Sequence, residues 1–357
     1  MSVISPGLFG LTKHNSNKDF SKRESWGKNQ FNNAFPVALA CYMHRKQISP
    51  IYITLDEEMI VSKSRLSFDS VFGTSPLSST AFFSFESDFT PYRTMVIDGL
   101  PRTDLVILDR SSRQNPCLRA LEIKLTALPD NTTVDLPESD YGSEIVVRPD
   151  TIVYLALSIA KIFHDKREGL REHFDHVFSQ DAEWTEIGEV RPLVSEMIQA
   201  LDHVLMTKIE SQSPFMLQPV WKTEGKALRL HDNCFDFFVW SDYAFTRLFV
   251  DNAVGGVGIS RRMRTIVWLS RMLYDFSVEG KIDYRQIIDT YTYDTRNDKA
   301  FAVGGIVTNP YMKCDQLTKP RIKKTEVRNI ILGGGENFLS PERRLDAAIL
   351  TTPGLFG

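Results

Sequence analysis

Arg102-Thr103-Asp104-Leu105-Val106-Ile107-Leu108-Asp109 and Cys117-Leu118-Arg119-Ala120-Leu121-Glu122-Ile123-Lys124-Leu125 are two β-branched and apolar runs joined by a short polar turn at 111–116. Residues two apart share a face of a strand. Glu122 and Lys124 therefore point one way, and Leu121, Ile123 and Leu125 point the other way, into a core. A neighbouring strand headed by Asp104 brings its carboxylate beside Glu122. Two converging carboxylates on apolar strands repel and are costly to desolvate. A divalent cation removes that cost, and Mg²⁺ takes hard oxygen ligands while keeping several waters. Lys124 can orient or deprotonate an attacking water, or stabilise charge on a phosphate. An Asp followed by Glu-x-Lys is the minimal set for metal-assisted phosphodiester hydrolysis.

Glu-x-Lys alone is a weak signal, and the chain holds it three times, at Glu122-Ile123-Lys124, Glu224-Gly225-Lys226 and Glu279-Gly280-Lys281. The last two centre on glycine in turn-like surroundings. The first lies inside an apolar β run, with Asp104 at the head of the run before it. The competing reading of the first is a polar edge strand whose Glu and Lys are solvated.

Outward from this pair, Phe82-Phe83-Ser84-Phe85 and Thr94-Met95-Val96-Ile97 are two more strand candidates. Asp98-Gly99 is a turn dipeptide, so an antiparallel meander is expected. Ile51–Leu55 is a further short strand by its β-branched content. Helices are expected at 37–47, 151–164, 192–206, 261–276 and 341–350, with 164–179 continuing helically. The segment 151–164 is apolar on nearly every side and should lie buried against the sheet. Residues 129–150, rich in Pro, Asp, Ser and Gly, are expected to form a long loop. The fold class is α/β, a mixed sheet flanked by helices. The six residues Ser5-Pro6-Gly7-Leu8-Phe9-Gly10 are echoed by Thr352-Pro353-Gly354-Leu355-Phe356-Gly357, and we have no physical account of that.

Composition removes several function classes. With 357 residues, 42% hydrophobic and 24% charged, the chain is an ordinary globular protein with ample length for a core. Its net charge of -3 argues against a globally basic nucleic-acid binder but leaves room for a local basic surface. The longest apolar stretch is too short to span a bilayer, so no membrane partner is expected. The start of the chain has no basic segment before an apolar run, unlike a secretion signal. Cys41, Cys117, Cys234 and Cys314 lie far apart with no Cys-x-x-Cys pair. Reduced thiols and a cytoplasmic location follow as expectations.

The Asp104…Glu122-x-Lys124 core resembles that of PD-(D/E)XK nucleases. The wider chain resembles the type II restriction endonucleases of the HindVP/HgiDI group. The residues that carry this are Ser5-Pro6-Gly7-Leu8-Phe9-Gly10, Trp26-Gly27-Lys28-Asn29-Gln30-Phe31-Asn32-Asn33, Arg102-Thr103-Asp104-Leu105-Val106, Leu121-Glu122-Ile123-Lys124-Leu125 and Val147-Arg148-Pro149-Asp150. One departure is Thr103, which stands where the literal Pro-Asp motif has proline; Pro101 lies nearby. The resemblance extends over most of the chain. It implies a PD-(D/E)XK nuclease-like core with a C-terminal elaboration: one chain, 1–357, with a catalytic core at about 20–180. Residues from about 181 to 357 would serve DNA recognition and dimerisation. It also implies Mg²⁺-dependent cleavage of double-stranded DNA by a homodimer, a cognate DNA methyltransferase acting on the same site, and the degenerate palindrome GRCGYC. Asp104, Glu122 and Lys124 are then the catalytic residues, the first two as metal ligands.

A third acid often completes such a site, and Glu24, Glu86 and Asp98 are candidates. Basic residues offer DNA contacts: Arg102, Arg148, the helical group Arg261, Arg262, Arg264 and Arg271, and a cluster at Lys319, Arg321, Lys323, Lys324 and Arg328. Arginine forks match guanine in the major groove, and lysines neutralise phosphate. Solvated basic faces would look the same in sequence. His173 and His176 lie one helical turn apart, but in a stretch so charged that a solvated face explains them. The glycine clusters at 255–258 and 333–335 lack the lysine and strand–helix context of a phosphate loop. Two other functions share these residues: a structure-selective repair or recombination nuclease, and a non-catalytic DNA-binding regulator.

Overall fold

The computed structural model describes residues 28–114, 116–124, 126–128, 145–207, 213–223, 230–253, 259–293, 300–303, 321–323, 325–326 and 330. The strands in chain order are β1 (Ile51–Leu55), β2 (Val61–Arg65), β3 (Ala81–Ser87), β4 (Thr103–Asp109), β5 (Cys117–Ile123), β6 (Thr126–Leu128), β7 (Ile145–Val147), β8 (Pro214–Thr223), β9 (Leu230–Ser241), β10 (Phe301–Val303) and β11 (Ile322–Lys323). The helices are α1 (Lys28–Arg45), α2 (Phe68–Phe72), α3 (Pro149–Ile162), α4 (Arg167–Phe178), α5 (Ile187–Thr207), α6 (Asp242–Ala253), α7 (Arg261–Glu279) and α8 (Tyr284–Thr290).

One mixed sheet runs in the order β2-β1-β9-β8-β5-β4-β3, with β11 added to β9 and β6 to β8. The β3–β4, β4–β5, β8–β9 and β1–β2 pairs are antiparallel, and β5–β8 and β1–β9 are parallel. Period-two alternation sorts the side chains onto two cores. Leu105, Ile107, Leu121, Ile123, Leu217, Phe237 and Val239 pack beneath α1 and α2. Val106, Met216, Val220, Phe238 and Trp240 pack on the opposite face, under α3 to α8. The expected α/β architecture, a mixed sheet flanked by helices, is what the chain forms. Its central strands β8 and β9 come from residues 214–241, beyond the approximate 20–180 span of the expected catalytic core.

The expected buried helix is α3, in which nine residues from Thr151 to Ala160 are buried. An apolar surface on all sides leaves a helix no face to present to water. The expected helix at 192–206 lies within α5, and that at 261–276 within α7. Ser260 caps α7, its hydroxyl accepting from the Met263 N–H. The segment 164–179 does not simply continue α3: the chain turns at 163–166 and a new helix, α4, begins at Arg167.

One strand assignment is corrected. Residues 94–97 do not form a strand; Thr90–Met95 is a 3₁₀ turn with Pro91 near its start. Proline fixes a turn-compatible φ and has no N–H to give a ladder. Val96 makes an isolated bridge to Ile282, and the Ile97 N–H bonds the Ile282 carbonyl at 3.1 Å. β3 therefore pairs directly with β4, and Asp98-Gly99 closes no hairpin within the sheet. The expected helix at 341–350, both copies of the repeated terminal segment and most of the 129–150 loop lie outside the described residues. Among the described residues, no helix is long and apolar enough to cross a membrane.

Tyr154 fixes α3 to the strands that it covers. Its hydroxyl donates to the Pro101 carbonyl at 2.7 Å and accepts from the Phe89 N–H at 3.1 Å. The side chain is buried. Tyr154→Phe leaves a buried N–H and a buried C=O without that partner, and each unsatisfied group costs about 1–3 kcal/mol. We expect a stability loss in that range in urea unfolding, with the denaturant slope unchanged. A loss below about 0.5 kcal/mol would show that other groups or water replace the hydroxyl.

Candidate active site

Register builds the site. Leu105 pairs with Leu121 across β4 and β5, which sets Asp104 opposite Glu122. Phe85 pairs with Leu105 and Ser87 with Thr103, which sets Glu86 opposite Asp104. Three acids thus form a row across three adjacent strands, on the face that carries Val106 and meets α3. Glu86 occupies its place with a φ of +51°, a left-handed conformation uncommon for a side-chain-bearing residue.

Asp104 is held from β5: its Oδ2 accepts the Ile123 N–H at 2.8 Å. Glu122 is engaged twice at one oxygen. Lys124 Nζ lies in a very short contact with Oε1, and the Thr151 hydroxyl donates to the same atom at 2.9 Å. Glu122 and Lys124 side chains are only 12% and 15% exposed, so this is not a solvated edge pair. The Lys124 N–H bonds the Leu217 carbonyl of β8 at 2.8 Å, which keeps the residue aligned with the sheet beyond the end of β5.

Thr103 stands where the resembled motif has proline. It is 2% exposed, and its hydroxyl donates to the Leu121 carbonyl at 3.1 Å, tying the start of β4 to β5. Proline offers no such donor.

The electrostatics follow from crowding. Burial, and then the negative charge of Glu122, push the Asp104 carboxyl up to about 8; Lys124 and the Ile123 N–H pull the other way, and Glu86 adds a smaller upward push. Asp150, in the first turn of α3, is raised by desolvation and by Glu122, against Arg148 and Lys124. Sequence reasoning did not single out Asp150 as an acid of the site. Its signal was its place at the start of an apolar helix, which has meaning only once that helix lies over β5.

These residues suit a hard cation that needs few protein ligands. Among the described residues, no group of three or more His, Cys, Asp or Glu is arranged to hold a metal. A pair of carboxylates with substrate phosphate and retained waters is the usual arrangement for Mg²⁺.

Other candidates separate clearly. Asp98 is exposed and faces Arg285 at 3.5 Å. Glu24 lies outside the described residues. Gly280, with φ +75°, is the C-terminal cap of α7, so Glu279-Gly280-Lys281 is a helix ending. Glu224-Gly225-Lys226 lies outside the described residues. Arg102 and Arg148 are exposed, two residues before Asp104 and three before Thr151. Arg261 and Arg262 are half-buried at the start of α7.

Arg264 does not face solvent: it is 0% exposed, with its guanidinium 4.3 Å from the centre of the Trp268 ring. The helical spacing that grouped it with Arg261 does not reveal which side of α7 packs. Arg271 pairs with Asp275 at 2.8 Å. Arg321 is spent on Asp236 and the Ser49 carbonyl. Lys323 is exposed on β11, and Lys319, Lys324 and Arg328 lie outside the described residues. His173 stacks on His203 with ring centres 6.1 Å apart.

The chain matches the family described as HindVP restriction endonuclease over residues 26–356. It is 48% identical over 353 residues to the type II restriction enzyme HgiDI of Herpetosiphon aurantiacus, covering 98% of this chain and 97% of that protein. It is 42% identical over 356 residues to the probable type II restriction enzyme HindVP of Haemophilus influenzae, covering 99% and 96%. No solved structure matches.

The raised Asp104 carboxyl makes a stability prediction for the metal-free protein. Below about pH 4, Asp104 is protonated folded and unfolded alike and costs nothing. Between about 4 and 8 the folded chain keeps a proton that the unfolded chain releases, so its contribution is lost as pH rises through that window. Asp104→Asn is neutral throughout. In chelator, the variant should gain stability relative to the parent from pH 5 to pH 9. A difference that stays flat over that range would mean that Asp104 ionises freely.

Proposed function

The chain belongs to the HindVP restriction endonuclease family, and from that premise we propose that it hydrolyses phosphodiester bonds of duplex DNA at a specific site. The observation that carries this reading is the convergence of Asp104, Glu122 and Lys124 on one face of β4 and β5, with the first two carboxylates repelling each other. Asp104 and Glu122 would hold Mg²⁺, which supplies charge neutralisation at the phosphate and a lowered pKa for water. The chain's own groups do the rest. Ile123 N–H fixes the Asp104 carboxylate. Lys124 keeps a compact positive charge beside Glu122, where it can orient the attacking water and offset charge on the pentavalent phosphate.

Arg102 and Arg148, exposed and flanking the acids in sequence, suit phosphate contacts, which position DNA without reading it. Arg261, Arg262 and Lys323 remain proposed contacts. Arg264, enclosed against Trp268, is not among them. The palindrome GRCGYC is the proposed site. A palindrome cut in both strands calls for two active sites about a twofold axis, hence a homodimer. A cognate DNA methyltransferase is the partner that would protect the host's own copies of the site. The cytoplasm is the proposed location, in keeping with Cys41 and Cys117 as free thiols.

Purified protein, plasmid DNA and Mg²⁺ test the reading. Discrete fragments that map to one sequence are expected. Cutting confined to branched substrates would point to a repair nuclease, and intact DNA to a binding protein. Asp104→Ala, Glu122→Ala and Lys124→Ala should each lower cleavage by at least ~10³-fold while specific binding persists, since about 1.36 kcal/mol of lost charge stabilisation is tenfold in rate. Lys124→Arg should not rescue, because a planar fork does not replace a compact ammonium. Glu279→Ala and Glu224→Ala should stay active. The proposed site is wrong if Glu122→Ala cuts normally and either of those two does not.

Sedimentation on the cognate duplex in Ca²⁺, across a salt series, reads assembly and phosphate contacts together. A mass of two chains per duplex is expected. Arg148→Ala should lower the salt dependence of binding by about one. Monomers at every protein concentration would refute the dimer, and an unchanged slope would assign Arg148 to plain solvent.

A further inference from the structure

We infer that Thr151 is a positioning residue for Glu122: its hydroxyl pins Oε1, so that Oε2 is the oxygen presented to the cation. The inference rests on the reading of Glu122 as a metal ligand.

The geometry is specific. Thr151 is 1% exposed, and its hydroxyl donates to Glu122 Oε1 at 2.9 Å. A buried hydroxyl needs a partner, and here that partner is the carboxylate of a neighbouring element. The N-cap of α3, Arg148, makes no side-chain cap bond, and the Thr151 hydroxyl goes to Glu122. The donor's place is set independently of the acid. Tyr154, one turn further along α3, is tied to Pro101 and Phe89 by its hydroxyl.

Lys124 is the other donor to Oε1. It stands two residues after Glu122, just past the end of β5, so it moves with the acid rather than locating it. The terminal torsion of glutamate is broad and roughly two-fold. A single donor carried on the same stretch of chain leaves that torsion loose. A second donor on a separately anchored helix fixes the plane of the carboxylate. Among the described residues, Thr151 is the one tie between the Glu122 carboxylate and another element of the fold. Groups that orient a ligand in this way typically matter 10–100-fold for metal affinity or activity.

Thr151→Val keeps the shape and removes the hydroxyl; Thr151→Ser keeps the hydroxyl and removes a methyl. The test measures Mn²⁺ binding to the DNA-free protein by calorimetry, and the Mg²⁺ concentration that half-activates cleavage, beside thermal unfolding in chelator. Thr151→Val should bind Mn²⁺ about 10–100-fold more weakly and need correspondingly more Mg²⁺, and Thr151→Ser should match the parent in both. Parental Mn²⁺ affinity and Mg²⁺ requirement in Thr151→Val would overturn the inference, as would a Thr151→Ser as impaired as Thr151→Val. If Thr151→Val does not fold, Thr151→Ala against Thr151→Ser gives the same comparison. Glu122→Gln separates the two levels. Undiminished Mn²⁺ binding in that variant would sink the reading of Glu122 as a ligand. Loss there with no effect in Thr151→Val would sink only the positioning role.

Discussion

Two carboxylates are forced together here by packing on the opposite side of the sheet. Leu105, Ile107, Leu121 and Ile123 are buried beneath α1, and their burial sets the pairing of β4 with β5. A slip of one residue would turn every one of these side chains to the wrong face. With the register held, Asp104 must lie opposite Glu122, however unfavourable that is for the charges. The hydrophobic core thus supplies the energy that keeps two acids closer than they would choose. Burial, and after it the charge of Glu122, raises the Asp104 carboxyl, and a cation would relieve both.

The rest of the fold serves to hold that pair still. β8, from the second half of the chain, pairs in parallel with β5 and takes the Lys124 N–H on Leu217. α3 lies across the same face, brings Thr151 against Glu122, and is itself tied down by Tyr154. Sheet pairing fixes the backbones that carry the acids, and the helix fixes one carboxylate. A site built on strands and a buried helix has its geometry set by elements that move little.

Much of this was legible in the sequence because it depends on local periodicity. Alternation around Glu122 assigned Leu121 and Ile123 to a core and Glu122 with Lys124 to the other face. The apolar character of 151–164 on nearly every side marked a buried helix. The readings that failed needed partners distant in sequence. Residues 94–97 are β-branched enough to look like a strand, but Pro91 starts a turn and Val96 finds its bridge at Ile282, nearly two hundred residues on. Arg264 sits at basic-helix spacing, yet the packed side of α7 is decided by Trp268 and the helices around it. Thr151 and Asp150 carry no motif; they enter the site only because α3 begins above β5. Thr103 shows the converse, a departure from a motif that the structure explains through its bond to Leu121.

The most direct measurement is the anomalous scattering of Mn²⁺ in crystals of the protein with duplex DNA that carries its recognition sequence. The account predicts a peak between the Asp104 and Glu122 carboxylates, with Oε2 rather than Oε1 of Glu122 towards the ion and a phosphate of the DNA beside it. A peak at another group of acids, with Asp104 and Glu122 left facing each other without a cation, would contradict it.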